Sequence, residues 1–133
     1  WLLGQKGIGE ESADSILCYA CGREAMVVDA YSARLVYAFG YEFESYEALQ
    51  AWFCEGIDAN WAKVASVYGK ELSLNELYAR FHGKIVEFCK ENSRGKVVDI
   101  RFIFKVKFLF FHRFKFQITG VLATFCDIGN FLV

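Results

Sequence analysis

Proline is wholly absent from the 133 residues, where average usage would supply roughly 5%. Chain reversals and helix stops therefore fall to glycine, at Gly7, Gly9, Gly22 and Gly40. A disulfide framework is also disfavoured. The five cysteines, Cys18, Cys21, Cys54, Cys89 and Cys126, are odd in number, and no charged segment followed by an apolar run marks a secretory signal. Reduced thiols and a bacterial-type cytoplasm are the expectation. Cys18-Tyr19-Ala20-Cys21 has CxxC spacing but no second pair at metal-ligand distance, so packed thiols are favoured over metal or redox chemistry. An initial methionine is missing too, and Trp1 is expected to follow on from something longer.

What is present is ample material for one domain's core, with 55% hydrophobic and 23% charged residues. The net charge of −1 conceals an asymmetry, since residues 101–133 carry +4 and residues 1–100 carry −5. A basic footprint usually marks a DNA-binding domain, and the acidic body counts against one.

Periodicity points to an all-α body. Trp1-Leu2-Leu3 reads as the last turn of an earlier helix. Residues 10–21 form a helix with Ala13, Ile16, Leu17 and Ala20 as its apolar stripe, and Gly22 as its stop. Met26-Val27-Val28 is an extended buried run leading to Asp29. A second helix over 30–39 presents Tyr31, Leu35, Ala38 and Phe39 and stops at Gly40. Ser45 caps a third, with Leu49, Trp52 and Phe53 inward. A fourth over 58–68 carries Trp61, Val64, Ala65 and Tyr68, and Trp61 is expected in the core. Ser73-Leu74-Asn75-Glu76 is a capping box opening a helix with Leu77, Phe81, Ile85 and Phe88 on one side.

After residue 95 the character changes. Seven phenylalanines lie between Phe102 and Phe116, and Phe102, Phe104, Val106 and Phe108 alternate with Lys105 and Lys107 like a strand. Three readings stand: an aberrant tail translated from an AT-rich stretch after a frameshift, genuine edge strands or an amphipathic element, or membrane association. As a membrane span the run is marginal, because it barely reaches the needed length and contains Asp127. The expected division is a body at 1–95 and an atypical tail at 96–133.

The chemistry-bearing segment is Leu2-Leu3-Gly4-Gln5-Lys6-Gly7-Ile8-Gly9-Glu10-Glu11-Ser12-Ala13. A Gly-apolar-Gly turn before a helix lets the backbone approach an anion, and the free N–H groups of the helix start face it. Such contacts hold a phosphate backbone without reading sequence. Asp29 follows eighteen residues after Glu11, at the end of an apolar run and the start of a helix. Aspartate there is a good N-cap. At a helix N-terminus it is also kept ionised.

Together with Leu77-Tyr78-Ala79-Arg80-Phe81-His82-Gly83-Lys84-Ile85-Val86-Glu87-Phe88-Cys89, these segments over about residues 1–92 resemble the helix-hairpin-helix DNA glycosylases of the endonuclease III superfamily, in particular the bacterial 3-methyladenine type. The resemblance implies the C-terminal part of an all-α glycosylase domain, truncated at its N-terminal side. It implies a base-excision repair hydrolase acting on the N-glycosidic bond of alkylated purines in duplex DNA, nucleoid-associated in a bacterial cytoplasm and monomeric, without a membrane partner. Asp29 would be catalytic. Gln5, Lys6, Gly7, Ile8, Gly9 and Glu10 would hold DNA, and Lys84 and Lys90 would border the base pocket. Glu11 stands where bifunctional members carry a lysine nucleophile, so strand cleavage is not expected. Cys89 stands where an iron–sulfur ligand would be, but no C-x6-C-x2-C-x5-C run follows, so neither cluster nor metal is expected. His82 reads as an ordinary helix histidine. The alternatives are a non-catalytic module that only binds DNA backbone, or an inactive fragment with exposed apolar faces.

Overall fold

The computed structural model describes residues 1–67, 72–101 and 103. Its elements are α1 (Glu10–Ser15), continued by a π-helical turn (Ile16–Ala20), then α2 (Ala30–Ala38), α3 (Tyr46–Ala59), α4 (Trp61–Val67) and α5 (Leu74–Asn92). A small antiparallel pair follows, β1 (Ser93–Arg94) with β2 (Val97–Val98). A single 3-10 turn over Leu2–Gly4 stands where the end of an earlier helix was expected.

The longest helix, α5, organises the rest. Its capping box forms in full: the Glu76 N–H donates to Ser73 Oγ at 3.2 Å, and Glu76 Oε2 accepts the Ser73 N–H at 3.0 Å. Leu77, Phe81, Ile85 and Phe88 are buried, as their spacing requires. Against this stripe stands α3, capped by Ser45, with Leu49, Phe53 and Ile57 inward. Phe53 meets Phe81 edge to face, centroids 6.0 Å apart. Each such buried side chain contributes about 1.5–3 kcal/mol relative to exposure. Trp52 is half-buried and packs on Tyr41 and Phe43.

Glycine stops α2 by a Schellman motif. Gly40 takes φ +89°, its N–H donates to Tyr37 O at 2.9 Å, and the Tyr41 N–H donates to Val36 O at 3.1 Å. Gly95, at φ +64°, turns the β1–β2 hairpin, which the sequence reading did not anticipate. Val98 and Ile103 are buried in the same core as α2, α3 and α5, so packing continues past residue 95.

Two expectations need correction. Trp61 is 42% exposed rather than in the core; α4 starts at Trp61 itself, and among its described side chains Val64 is the buried one. In the first helix Ala13 and Cys18 are buried, whereas Ala20 is exposed. The Cys21 N–H donates to Ile16 O at 3.1 Å, a five-residue step. This wide turn rotates every later side chain away from a 3.6-residue stripe.

Tyr68, the side chain of Ala65, Phe102, the alternation from Phe104 to Phe108, Cys126 and Asp127 lie outside the described residues, as does most of the expected tail. Among the described residues, no helix is long and apolar enough to cross a membrane.

Candidate active site

The run Met26–Val28 is buried throughout, so its backbone polar groups need partners from the protein. The Gln50 amide donates to Met26 O at 2.7 Å and to Asp14 Oδ2 at 2.6 Å, and the Tyr46 hydroxyl donates to the same carboxylate oxygen at 2.9 Å. This network joins α1, α3 and the extended run. It fixes the point from which Asp29 enters α2.

Asp29 is the N-cap of α2. Its Oδ1 accepts two bonds from Ser32, the backbone N–H at 2.8 Å and the hydroxyl at 3.0 Å. Ser32 is fully buried. The second oxygen, Oδ2, takes no part in the cap; it lies 3.5 Å from His82 Nε2 on α5. The Asp29 side chain is only 12% exposed. Burial pushes its carboxyl up, but His82 and the two Ser32 donors outweigh burial, and the group sits below its ordinary value. The outcome is an ionised, nearly buried carboxylate with one oxygen held in the cap and the other facing His82.

His82 is held from its other side. Its Nδ1 lies 2.6 Å from the Tyr19 hydroxyl, which is also 3.2 Å from Ala79 O. Tyr19 belongs to the π-helical turn, and it is partial burial, with the nearby Cys18 and Asp29, that raises its phenol above the usual range. Asn75, in the first turn of α5, clamps this turn in place: its amide donates to Cys18 O at 2.9 Å and Arg23 O at 2.7 Å. Sequence reasoning assigned no part to Tyr19 or Ser32 and read His82 as ordinary. Ser32 had a signal, since a polar residue three positions after an N-cap can bond back to it. Tyr19 had none.

The Gly7–Gly9 turn and the helix start after it have the expected form. Gly7 takes φ +87°, the Ile8 N–H donates to Gln5 O at 3.1 Å, and Gly9 caps α1 in an extended conformation with no side chain to occupy the helix start. The first-turn N–H groups of such a helix have no intrahelical partner. Gln5, Lys6, Gly7, Gly9 and Glu10 are exposed, and Ile8 is half-buried. Glu10 is hydrogen-bonded to Glu47, which raises the Glu10 carboxyl and lowers that of Glu47. Glu11 and Asp29 border one cleft of about 1020 Å³, with Arg34, Tyr37, Tyr46 and Lys96 among its other walls.

Lys84 and Lys90 lie elsewhere. They border a shallow depression of about 530 Å³ with Arg80, Gly83 and Glu87, and Lys84 pairs with Glu87 at 3.1 Å. On α5 this face is turned away from the one bearing His82 and Cys89. The structure thus brings the hairpin helix and Asp29 to one cleft and leaves the two lysines on another surface. The Cys89 thiol is buried, points at Tyr31 O at 3.7 Å, and is pushed up to about 12 by burial. Among the described residues no three His, Cys, Asp or Glu side chains gather as a metal site.

No family model matches the chain. A curated protein of Methanocaldococcus jannaschii named "Putative DNA repair glycosylase MJ1434" is 36% identical over 98 residues, 73% of this chain and 39% of that protein. A crystal structure of the H. pylori 3-methyladenine DNA glycosylase bound to 1,N6-ethenoadenine is 53% identical, with a TM-score of 0.66, and the match covers 71% of this chain and 44% of that one. The chain therefore spans about two-fifths of the length of these relatives.

Proposed function

We propose that this chain, which belongs to the helix-hairpin-helix DNA glycosylases, supplies the hydrolytic carboxylate and the phosphate-binding hairpin of an enzyme that releases alkylated purines, such as 3-methyladenine, from duplex DNA. The observation that carries this reading is Asp29: a carboxylate held ionised at a helix N-terminus, with Oδ2 left out of the cap, on a residue that borders the same cleft as Glu11 of the hairpin helix.

In this reading the backbone N–H groups around Gly7–Glu10 hold a phosphate, and the damaged nucleotide is flipped towards Asp29. An alkylated purine is already cationic and leaves as a neutral base with the electrons of the glycosidic bond. Positive charge develops on the sugar, and the Asp29 carboxylate stabilises it, orients the water that bonds to C1′ and accepts the proton that this water gives up. The enzyme is monofunctional, because Glu11 offers no amine to form a Schiff base. An iron–sulfur cluster does not fit this chain: Cys89 is committed to the interior, and the next cysteine in sequence is Cys126.

The test is Asp29→Asn in the full-length protein, assayed on alkylated duplex DNA. Base release is expected to fall by several orders of magnitude while DNA binding persists. Unimpaired release would remove Asp29 from the chemistry. Retained binding with no release by the wild type would favour the module that only holds DNA backbone.

A further inference from the structure

We infer that His82 is a positioning residue for Asp29, and that the Tyr19 hydroxyl sets the tautomer in which it acts; this rests on the hydrolytic role proposed for Asp29. The distances decide the roles. Tyr19 Oη lies 2.6 Å from His82 Nδ1 but 3.2 Å from Ala79 O, so with a neutral ring the phenolic proton goes to the nearer acceptor, Nδ1. The ring proton is then on Nε2 and faces Asp29 Oδ2 at 3.5 Å. With a charged ring, Nδ1–H donates to the phenol oxygen, the phenol donates to Ala79 O, and Nε2–H again faces the carboxylate. The remaining neutral tautomer would set a lone pair against an anion. Both favoured states therefore present a donor to the one Asp29 oxygen that Ser32 does not hold.

Burial gives this donor its purpose. His82 Nε2 is shielded from solvent and has no hydrogen-bond partner, and a buried polar atom left without a partner is destabilising. At 3.5 Å the contact with Asp29 is electrostatic rather than a completed hydrogen bond. The neighbouring Cys89 thiol is held neutral by burial and does not compete for the charge of Asp29.

Single-turnover release of 3-methyladenine from alkylated duplex DNA by the full-length protein tests the inference, alongside DNA affinity. His82→Ala is expected to slow release about tenfold, within the range of coupling between contacting side chains, with affinity unchanged. His82→Gln, whose amide nitrogen can stand in for Nε2, should recover most of the rate, and Tyr19→Phe should fall between. Release by His82→Ala at the wild-type rate overturns the positioning role, as does His82→Gln no faster than His82→Ala. Nitrogen-15 spectra of the neutral imidazole give an independent reading: a proton on Nε2 is expected, and a proton on Nδ1 overturns the inference even with normal activity. A wild-type enzyme without base release instead sinks the proposed function, and the positioning role with it.

Discussion

Asp29 serves two masters through two oxygens. Oδ1 closes the N-terminus of α2 with Ser32, and Oδ2 faces His82. Because its native carboxyl lies below the ordinary value, it adds stability at pH above the unfolded-state value, and this is lost as pH falls through the native one. Ser32→Ala removes one of the donors that lower it. The variant should lose about 1 kcal/mol near neutral pH, and the loss should shrink in acid, where the carboxylate is protonated in both proteins. Urea midpoints across that range measure it, and an unchanged neutral midpoint would show the hydroxyl to be dispensable. Asp29 itself stood out in sequence because an apolar run delivers it to a helix start. Tyr19 and His82 did not, because 63 residues separate them and only the packing of two helices joins them.

Among the elements, those written in local chemistry were readable: the capping box at Ser73 and Glu76, the Ser45 cap, the stop at Gly40 and the stripe of α5. Those set by longer-range packing were not. The α1 stripe failed at the π-helical turn, whose wide step no 3.6-residue count anticipates. The two-residue β1–β2 pair is too short to show alternation. The Gly7 turn belongs to the readable group and can be tested alone. A Cβ there meets no atom within 4 Å, so Gly7→Ala acts only through its φ of +87°. Strain of roughly 1 kcal/mol, expressed on the hairpin, should weaken DNA binding about fivefold, equally on duplexes of unrelated sequence. Anisotropy titrations against two such duplexes check this. Wild-type affinity would place the hairpin outside the interface.

At the scale of the whole molecule, the core is one cluster joining the extended run, α2, α3, α4, α5, β2 and Ile103, and Phe53 sits fully buried within it. Phe53→Ala should cost about 3–5 kcal/mol and lower the melting temperature markedly; a shift within experimental error would mean the cluster is not the cooperative core. Among the described residues, large apolar side chains are exposed at Trp1, Leu3, Tyr19, Tyr37, Trp61 and Val97. Net charge says nothing about where backbone N–H groups point, so the acidic body does not exclude an anion at the Gly7–Gly9 turn, which also carries the cation Lys6. The candidate site is shared between two halves of the chain: Tyr19 and Asp29 come before α3, and His82 comes after it. Their meeting depends on the phase of the turn at Ile16–Ala20. Removing one residue there would restore an ordinary helical step and swing Tyr19 by about 100° around its axis, off the His82 ring, with every side chain of the site still present. The spacing is thus as much a heritable part of the site as the residues, and the segment should tolerate substitution better than a change of length.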